Sequence, residues 1–213
     1  MENSLIKAFH TRNLLTLFCG LSIMAIGVSL SKLAALGTSP IASIPNVVSY
    51  LLPVSIGNLT IIFMIILVLL EALFLRRDFS TLNLLQIIPG SCFGFLIDFF
   101  MKVFSFVKPH NYLEQISLTI LSIVILAIGV FLEISSSSII LPGEGLARAM
   151  AWSLKKKFAV TKVIVDFSMV VIALAIALIY FHSLVGIREG TIISALCVGP
   201  LVKLFRSIKS KLS

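Results

Sequence analysis

A chain of 213 residues that is 59% hydrophobic, 12% charged and has a mean hydropathy of +1.13 is not an ordinary water-soluble domain, in which about 45 to 50% apolar and about 25% charged residues are usual. Its net charge of +8 does not point to nucleic acid, because the basic residues fall between apolar runs instead of forming one stripe. Cys19, Cys92 and Cys197 stand far apart in apolar surroundings and support neither a disulfide framework nor a zinc site.

The first apolar run, residues 14–36, exceeds a signal-peptide core and lacks a small-residue cleavage site, so it is expected to stay as a membrane helix. The stretch 37–46 is also apolar, yet Gly37, Pro40 and Pro45 disfavour a continuous helix and predict a short broken or re-entrant segment near Pro40. Further runs occupy 56–75, 82–104, 116–141, 163–181 and 187–205. Between the fourth and fifth, Leu141-Pro142-Gly143-Glu144-Gly145-Leu146 predicts a second broken segment near Pro142, the alternative being two ordinary turns. Six runs of about 20 residues use most of the chain, so residues 1–213 are expected to form one all-α transmembrane domain.

Positive charge beside short loops stays on the cytoplasmic side. With the N-terminus inside, the inner loops carry Lys7, Arg12, Arg76, Arg77, Arg148, Lys155, Lys156, Lys157, Lys162, Lys203, Arg206, Lys209 and Lys211. Only Lys102, Lys108 and Arg188 fall outside, and Lys32 lies within the first run. This imbalance predicts both termini cytoplasmic in a bacterial plasma (inner) membrane.

Ala25-Ile26-Gly27-Val28 recurs as Ala127-Ile128-Gly129-Val130, and the same offset of 129 − 27 = 102 residues carries Pro40 onto Pro142. Cys92-Phe93-Gly94 matches Cys197-Val198-Gly199 at an offset of 197 − 92 = 105. Each half, about 14–106 and about 116–207, then holds three spans. An odd number makes the second half enter the membrane from the opposite side, which predicts inverted repeats, the usual construction of secondary transporters, the alternative being chance similarity among apolar residues.

An ionisable residue near the bilayer centre costs about 2.5 to 3.5 kcal/mol and is therefore normally paired, placed at a cavity or functional. Glu133 falls late in the fourth run, and Asp166 falls early in the fifth, four residues after Lys162, the spacing of a same-face ion pair. Glu144 and Arg148 share that spacing. Arg188 and Glu189 open the sixth run and are expected to reach inward and converge with Glu144, Lys162 and Asp166 on one polar pocket, lined also by Glu133 and, from the first half, by Ser39 and Asn58. Glu71, five residues before Arg76, reads as interfacial, and Asp98 and Lys102 read as another i, i+4 pair. Gln86 is either helix-helix glue or a solute contact. Lys32 either snorkels outward or finds an acid on another helix. There is no P-loop, G-x-S-x-G or H-E-x-x-H motif, and His10, His110 and His182 sit at span edges, so no catalysis, metal or cofactor is expected.

Gly37-Thr38-Ser39-Pro40, Ser55-Ile56-Gly57-Asn58-Leu59-Thr60, Phe93-Gly94-Phe95-Leu96-Ile97-Asp98, Leu141-Pro142-Gly143-Glu144-Gly145 and Gly186-Ile187-Arg188-Glu189-Gly190-Thr191 together resemble the YczE-like group of bacterial membrane proteins, often grouped with YitT and YyaS. The resemblance implies a multi-span bacterial membrane fold and no particular reaction. In span count and size alone the chain is also similar to the substrate-binding subunits of energy-coupling-factor vitamin transporters. The function expected is a carrier or substrate-binding membrane subunit for a small polar solute, zwitterionic or charged, working by alternating access between the halves. The alternative is a non-transporting scaffold or regulator whose buried charges only fix helix packing. The expected partners are the lipid bilayer and a small-molecule solute, with no nucleic acid and the oligomeric state open.

Overall fold

The computed structural model describes residues 10–212, so Lys7 of the charge count lies outside the described residues. Among them there are eight α-helices: α1 (Thr11–Leu33), α2 (Pro40–Val48), α3 (Ile56–Leu75), α4 (Ile87–Val103), α5 (Tyr112–Ser135), α6 (Pro142–Ser153), α7 (Phe158–Phe181) and α8 (Glu189–Leu212). A 3-10 stretch, Thr81–Gln86, leads into α4. Six helical segments are long and apolar enough to cross a membrane. The exceptions, α2 and α6, have 9 and 12 residues, well short of the ~20 that a span needs.

The same order of elements occurs twice. From α1 to α5 the starting residue advances by 112 − 11 = 101, and from α2 to α6, α3 to α7 and α4 to α8 it advances by 102 each time. The backbone repeats at that interval as well. Ala35 and Ser137, 102 residues apart, are both non-glycine residues in the left-handed region, with φ of 60° and 53°. That conformation costs an L-residue about 1 to 2 kcal/mol and cannot continue a right-handed helix, so α1 and α5 stop just before it. A few residues later Pro40 and Pro142 each open a short helix at its first position, where a missing N–H costs nothing and the fixed φ suits the helix. These two breaks correct the expected boundaries: α1 ends at Leu33 instead of residue 36, and α5 at Ser135 instead of residue 141. The fifth span opens at Phe158, five residues before its expected start.

Helices α1 and α5 run antiparallel with their backbones in contact. A Cβ on Gly20 would lie 2.8 Å from the Glu133 nitrogen, one on Gly27 would lie 2.9 Å from the Leu126 nitrogen, and one on Gly129 would lie 2.5 Å from the Met24 nitrogen. Small residues permit such closeness, and in lipid it is close packing that drives association. Around this pair α4 lies on α1 and α8 on α5, while each short helix packs on a long helix of the other half, α2 on α7 and α6 on α3. One pairing is unequal. Helices α3 and α4 meet through Gly57 and Gly94; the interval of 102 between the starts of α4 and α8 replaces the 105 expected from Cys92-Phe93-Gly94, so the corresponding positions hold the larger Ala159 and Leu196, and α7 touches α8 only marginally.

Leu21, Met24, Val28, Met64, Phe93, Ile97 and Leu141 fill the interior. Leu69, Phe95, Phe167 and Leu196 point outward, as lipid-facing residues do. The start of α1, the end of α3, the α6–α7 turn and the end of α8 lie on one side of the bundle, called here the basic face because Arg12, Arg76, Arg77, Lys155, Lys156, Lys157, Arg206, Lys209 and Lys211 belong to these segments. Two contacts tie this face together, Trp152 Nε1 donating to Asp78 Oδ2 at 3.2 Å and the Lys209 ammonium 5.7 Å above the Phe131 ring.

Candidate functional site at the facing ends of two short helices

The first turns of α2 and α6 meet in the interior. A Cβ on Gly143 would stand 2.5 Å from Ile41 Cδ1, so the α6 glycine makes room for the α2 side chain. From this meeting point the two helices diverge. The far end of α2 carries Asn46, whose side-chain amide donates to the Gly186 carbonyl at 2.8 Å, and the far end of α6 reaches Asp78 on the basic face. The positive ends of both short helices therefore point at one another.

Four of the residues expected in the site gather at the α6 end. Glu133 Oε1 accepts the Leu141 N–H at 3.1 Å, so a side chain from α5 caps α6. Glu144, in the first turn of α6, is paired with Lys162 at 3.3 Å, and Lys162 also donates to Asp166 one turn further along α7, at 2.9 Å. Carboxylates at a helix N-terminus offset its partial positive charge, which accounts for two acids beside one another. Yet the set is incomplete: Glu133 is 2% exposed and Glu144 6%, and the Oε2 atom of each has no hydrogen-bond partner among the described residues. Buried polar atoms without a partner are uncommon because they forfeit their solvation.

A fourth acid lies beside this group. Glu71, expected at the interface, is instead 3% exposed on α3 and accepts from Asn83 Nδ2 and Gln86 Nε2, both at 2.8 Å. The 3-10 stretch folds back over α3 and supplies both amides. Gly145 leaves the space for them, as a Cβ there would run into the Gln86 carbonyl oxygen and Glu71. Arg148 forms no ion pair with Glu144; its guanidinium lies 6.0 Å from the Phe158 ring centre. At the other end of α6 a recess of about 520 Å³ opens on the basic face between Phe74, Asp78, Trp152 and Lys155.

The α2 end is built from hydroxyls. Ser39 is the N-cap residue but makes no capping bond, and neither its Oγ nor Thr38 Oγ1 has a partner among the described residues. Thr38 N–H donates to Thr191 Oγ1 of α8 at 3.1 Å, and Ser194, one turn beyond Thr191, has an equally unpartnered hydroxyl. All four residues are at most 2% exposed.

Arg188, Glu189 and Asn58 do not join the cluster. Arg188 and Glu189 pair with each other at 3.0 Å, Glu189 also accepts from Tyr112 OH at 3.1 Å, and both side chains are about 40% exposed. Tyr112 opens α5 and Glu133 stands near its end, 133 − 112 = 21 residues on, so the two charge groups are separated by about 30 Å of helix. The expected convergence of all five charged residues is thus corrected: the α8 start is held at the far face by Gly190 N–H donating to Leu36 O at 2.8 Å. Asn58 is exposed in the first turn of α3, its N–H donating to Ser55 Oγ at 3.2 Å. Lys32 makes no direct ion pair among the described residues, although Asp98 lies within electrostatic reach; its ammonium donates to Ser49 Oγ at 2.5 Å and lies 4.9 Å above the Tyr50 ring. Asp98 turns to α3 instead of Lys102, accepting from Gly57 N–H at 2.8 Å and from Ser55 Oγ at 2.5 Å.

The profile of a family of unknown function, DUF6198, matches residues 11–207. The chain belongs to that family. The match takes in all eight helices and both ends of the site, up to the last turns of α8. No curated protein and no solved structure matches the chain.

Proposed function

We propose that this membrane protein is a carrier, or the substrate-binding subunit of one, for a small polar solute that presents a hydrogen-bond donor or positive charge to Glu133 and Glu144. The observation that carries this reading is the pair of buried carboxylate oxygens left without partners at the point where two short helices meet. Helices too short to span, with their ends turned to a common centre, are how carriers bring backbone dipoles to a solute at mid-membrane. The repetition at 102 residues and the antiparallel run of α1 against α5 support a two-fold relation in the membrane plane, with each half able to rock against the other. The solute approaches from the recess on the basic face, and the charge distribution supports placing that face and both termini in the cytoplasm of a bacterial cell. The resemblance to YczE-like proteins agrees with a bacterial membrane and adds no substrate.

The test is a metabolite screen by thermal shift on the detergent-solubilised protein, followed by uptake into proteoliposomes. Glu144→Gln and Asp166→Asn keep shape and remove charge. They are expected to abolish the solute-dependent shift and uptake while the solute-free melting temperature stays near wild type. If both variants unfold and no metabolite shifts the wild-type protein, the charges serve packing alone and the chain is a scaffold.

A further inference from the structure

The two facing helix ends are alike in backbone and opposite in chemistry. At the α6 end the protein supplies its own counter-charge, Glu133 from α5 and Glu144 from the first turn. The corresponding positions at the α2 end, 102 residues earlier, hold Ser31 and Ala42. Ser31 is already committed, its Oγ donating to the Gly37 carbonyl at 2.8 Å, and Ala42 has nothing to offer. The positive end of α2 therefore has no acid near it in the chain, whereas three hydroxyls around it, on Thr38, Ser39 and Ser194, are buried and have no partner among the described residues. Hydroxyl donors and a helix N-terminus without a counter-charge are the elements of an anion site. Across the Ile41–Gly143 contact stand the opposite elements, two acceptor oxygens on carboxylates. Ser39 is two residues along the chain from that contact and Glu144 is one, so the two ends border the same junction.

We infer that the α2 end, formed by Thr38, Ser39 and Ser194, binds the carboxylate of the solute while Glu133 and Glu144 bind its ammonium group, which makes the solute a small amino-carboxylate zwitterion. The donor hydroxyls and the α2 dipole take the negative group, and the unpartnered Oε2 atoms take the positive one. Each subsite thereby supplies what the other's ligand group lacks. The identity of the solute rests on the carrier reading above; the anion subsite does not.

The test uses the full-length protein in detergent and three matched sets of probes: the twenty protein amino acids, the amines left by removing their carboxylates, and the acids left by removing their amino groups. At least one amino acid is expected to raise the melting temperature, with its amine and acid each binding about tenfold or more weakly, the effect of losing a charge-assisted contact. Ser39→Ala and Ser194→Ala are expected to weaken the amino acid by about tenfold and leave the amine unchanged. Ser39 makes no capping bond, so its removal leaves the fold intact. Glu144→Gln is expected to do the reverse, weakening the amine and sparing the acid. An amine that binds as tightly as its amino acid, or serine variants without effect, overturns the anion subsite and leaves the carrier reading standing. Absence of any shift across the three sets overturns the zwitterion assignment, and the carrier reading then stands or falls with the wider metabolite screen.

Discussion

Lys162 holds two carboxylates at once, so removing its charge strands both. Lys162→Met keeps the aliphatic stem and is expected to cost about 2 kcal/mol, read as a lower melting temperature in detergent. That is less than for a fully buried pair, because about a quarter of the lysine side chain is exposed. Adding Glu144→Gln and Asp166→Asn to Lys162→Met is expected to recover most of the loss; failure to recover would mean that the lysine acts through packing of its stem. The Lys162–Asp166 pair was legible in the sequence because i, i+4 spacing on a helix is a local fact. The partner of Glu144 was not, since the chain spacing favoured Arg148 and only the seating of α6 against α7 brings Lys162 closer. Glu71 is similar: its nearness to Arg76 in the chain says nothing of Asn83 and Gln86, which reach it by folding back over α3.

At the scale of elements, the helix that Asp98 belongs to is not the helix it serves. From α4 it accepts the Gly57 N–H and the Ser55 hydroxyl at the start of α3, so Asp98→Ala is expected to cost about 1 to 2 kcal/mol, the usual loss for a helix cap, and Asp98→Asn less. Thermal melting of the two variants in detergent ranks them; equal losses would place the effect in charge and not in capping. The Gly57–Gly94 contact gives a second expectation. Gly94→Leu copies the residue found at position 196, and the extra volume has no room against the Gly57 carbonyl, so α3 and α4 are expected to separate, with a loss of about 3 kcal/mol or more in the same assay. The six long helices were legible from apolar length, and both short ones from proline. The places where α1 and α5 stop were not, because left-handed backbone at Ala35 and Ser137 is carried by residues that give no local sign of it.

For the whole molecule, the loop 104–111 and the turn 154–157 stand at opposite ends of the bundle. With Cys19, Cys92 and Cys197 replaced by alanine, single cysteines at 108 and 156 are expected to react with impermeant maleimide from opposite sides of the membrane, 156 only after the cytoplasmic side is opened. Labelling of both from one side would overturn the arrangement. The regular interval between the halves was readable from Gly27, Gly129, Pro40 and Pro142. Their division of labour was not, because it lies in what positions 31 and 42 lack relative to Glu133 and Glu144, and an absence becomes visible only when the two helix ends are set side by side.

The head-to-head arrangement of α2 and α6 also bears on voltage. Each short helix carries about half a charge at either end, but the two run toward opposite faces of the bundle, so a transmembrane potential pulls on them in opposite directions. The two helix dipoles then largely offset one another, and each charge that travels with the cargo is worth about 2.3 kcal/mol per 100 mV. A zwitterion carries none on balance. Its uptake into proteoliposomes is expected to proceed at the same rate whether or not a potassium diffusion potential is imposed with valinomycin, and a rate that follows the potential would show that a further charge moves with it.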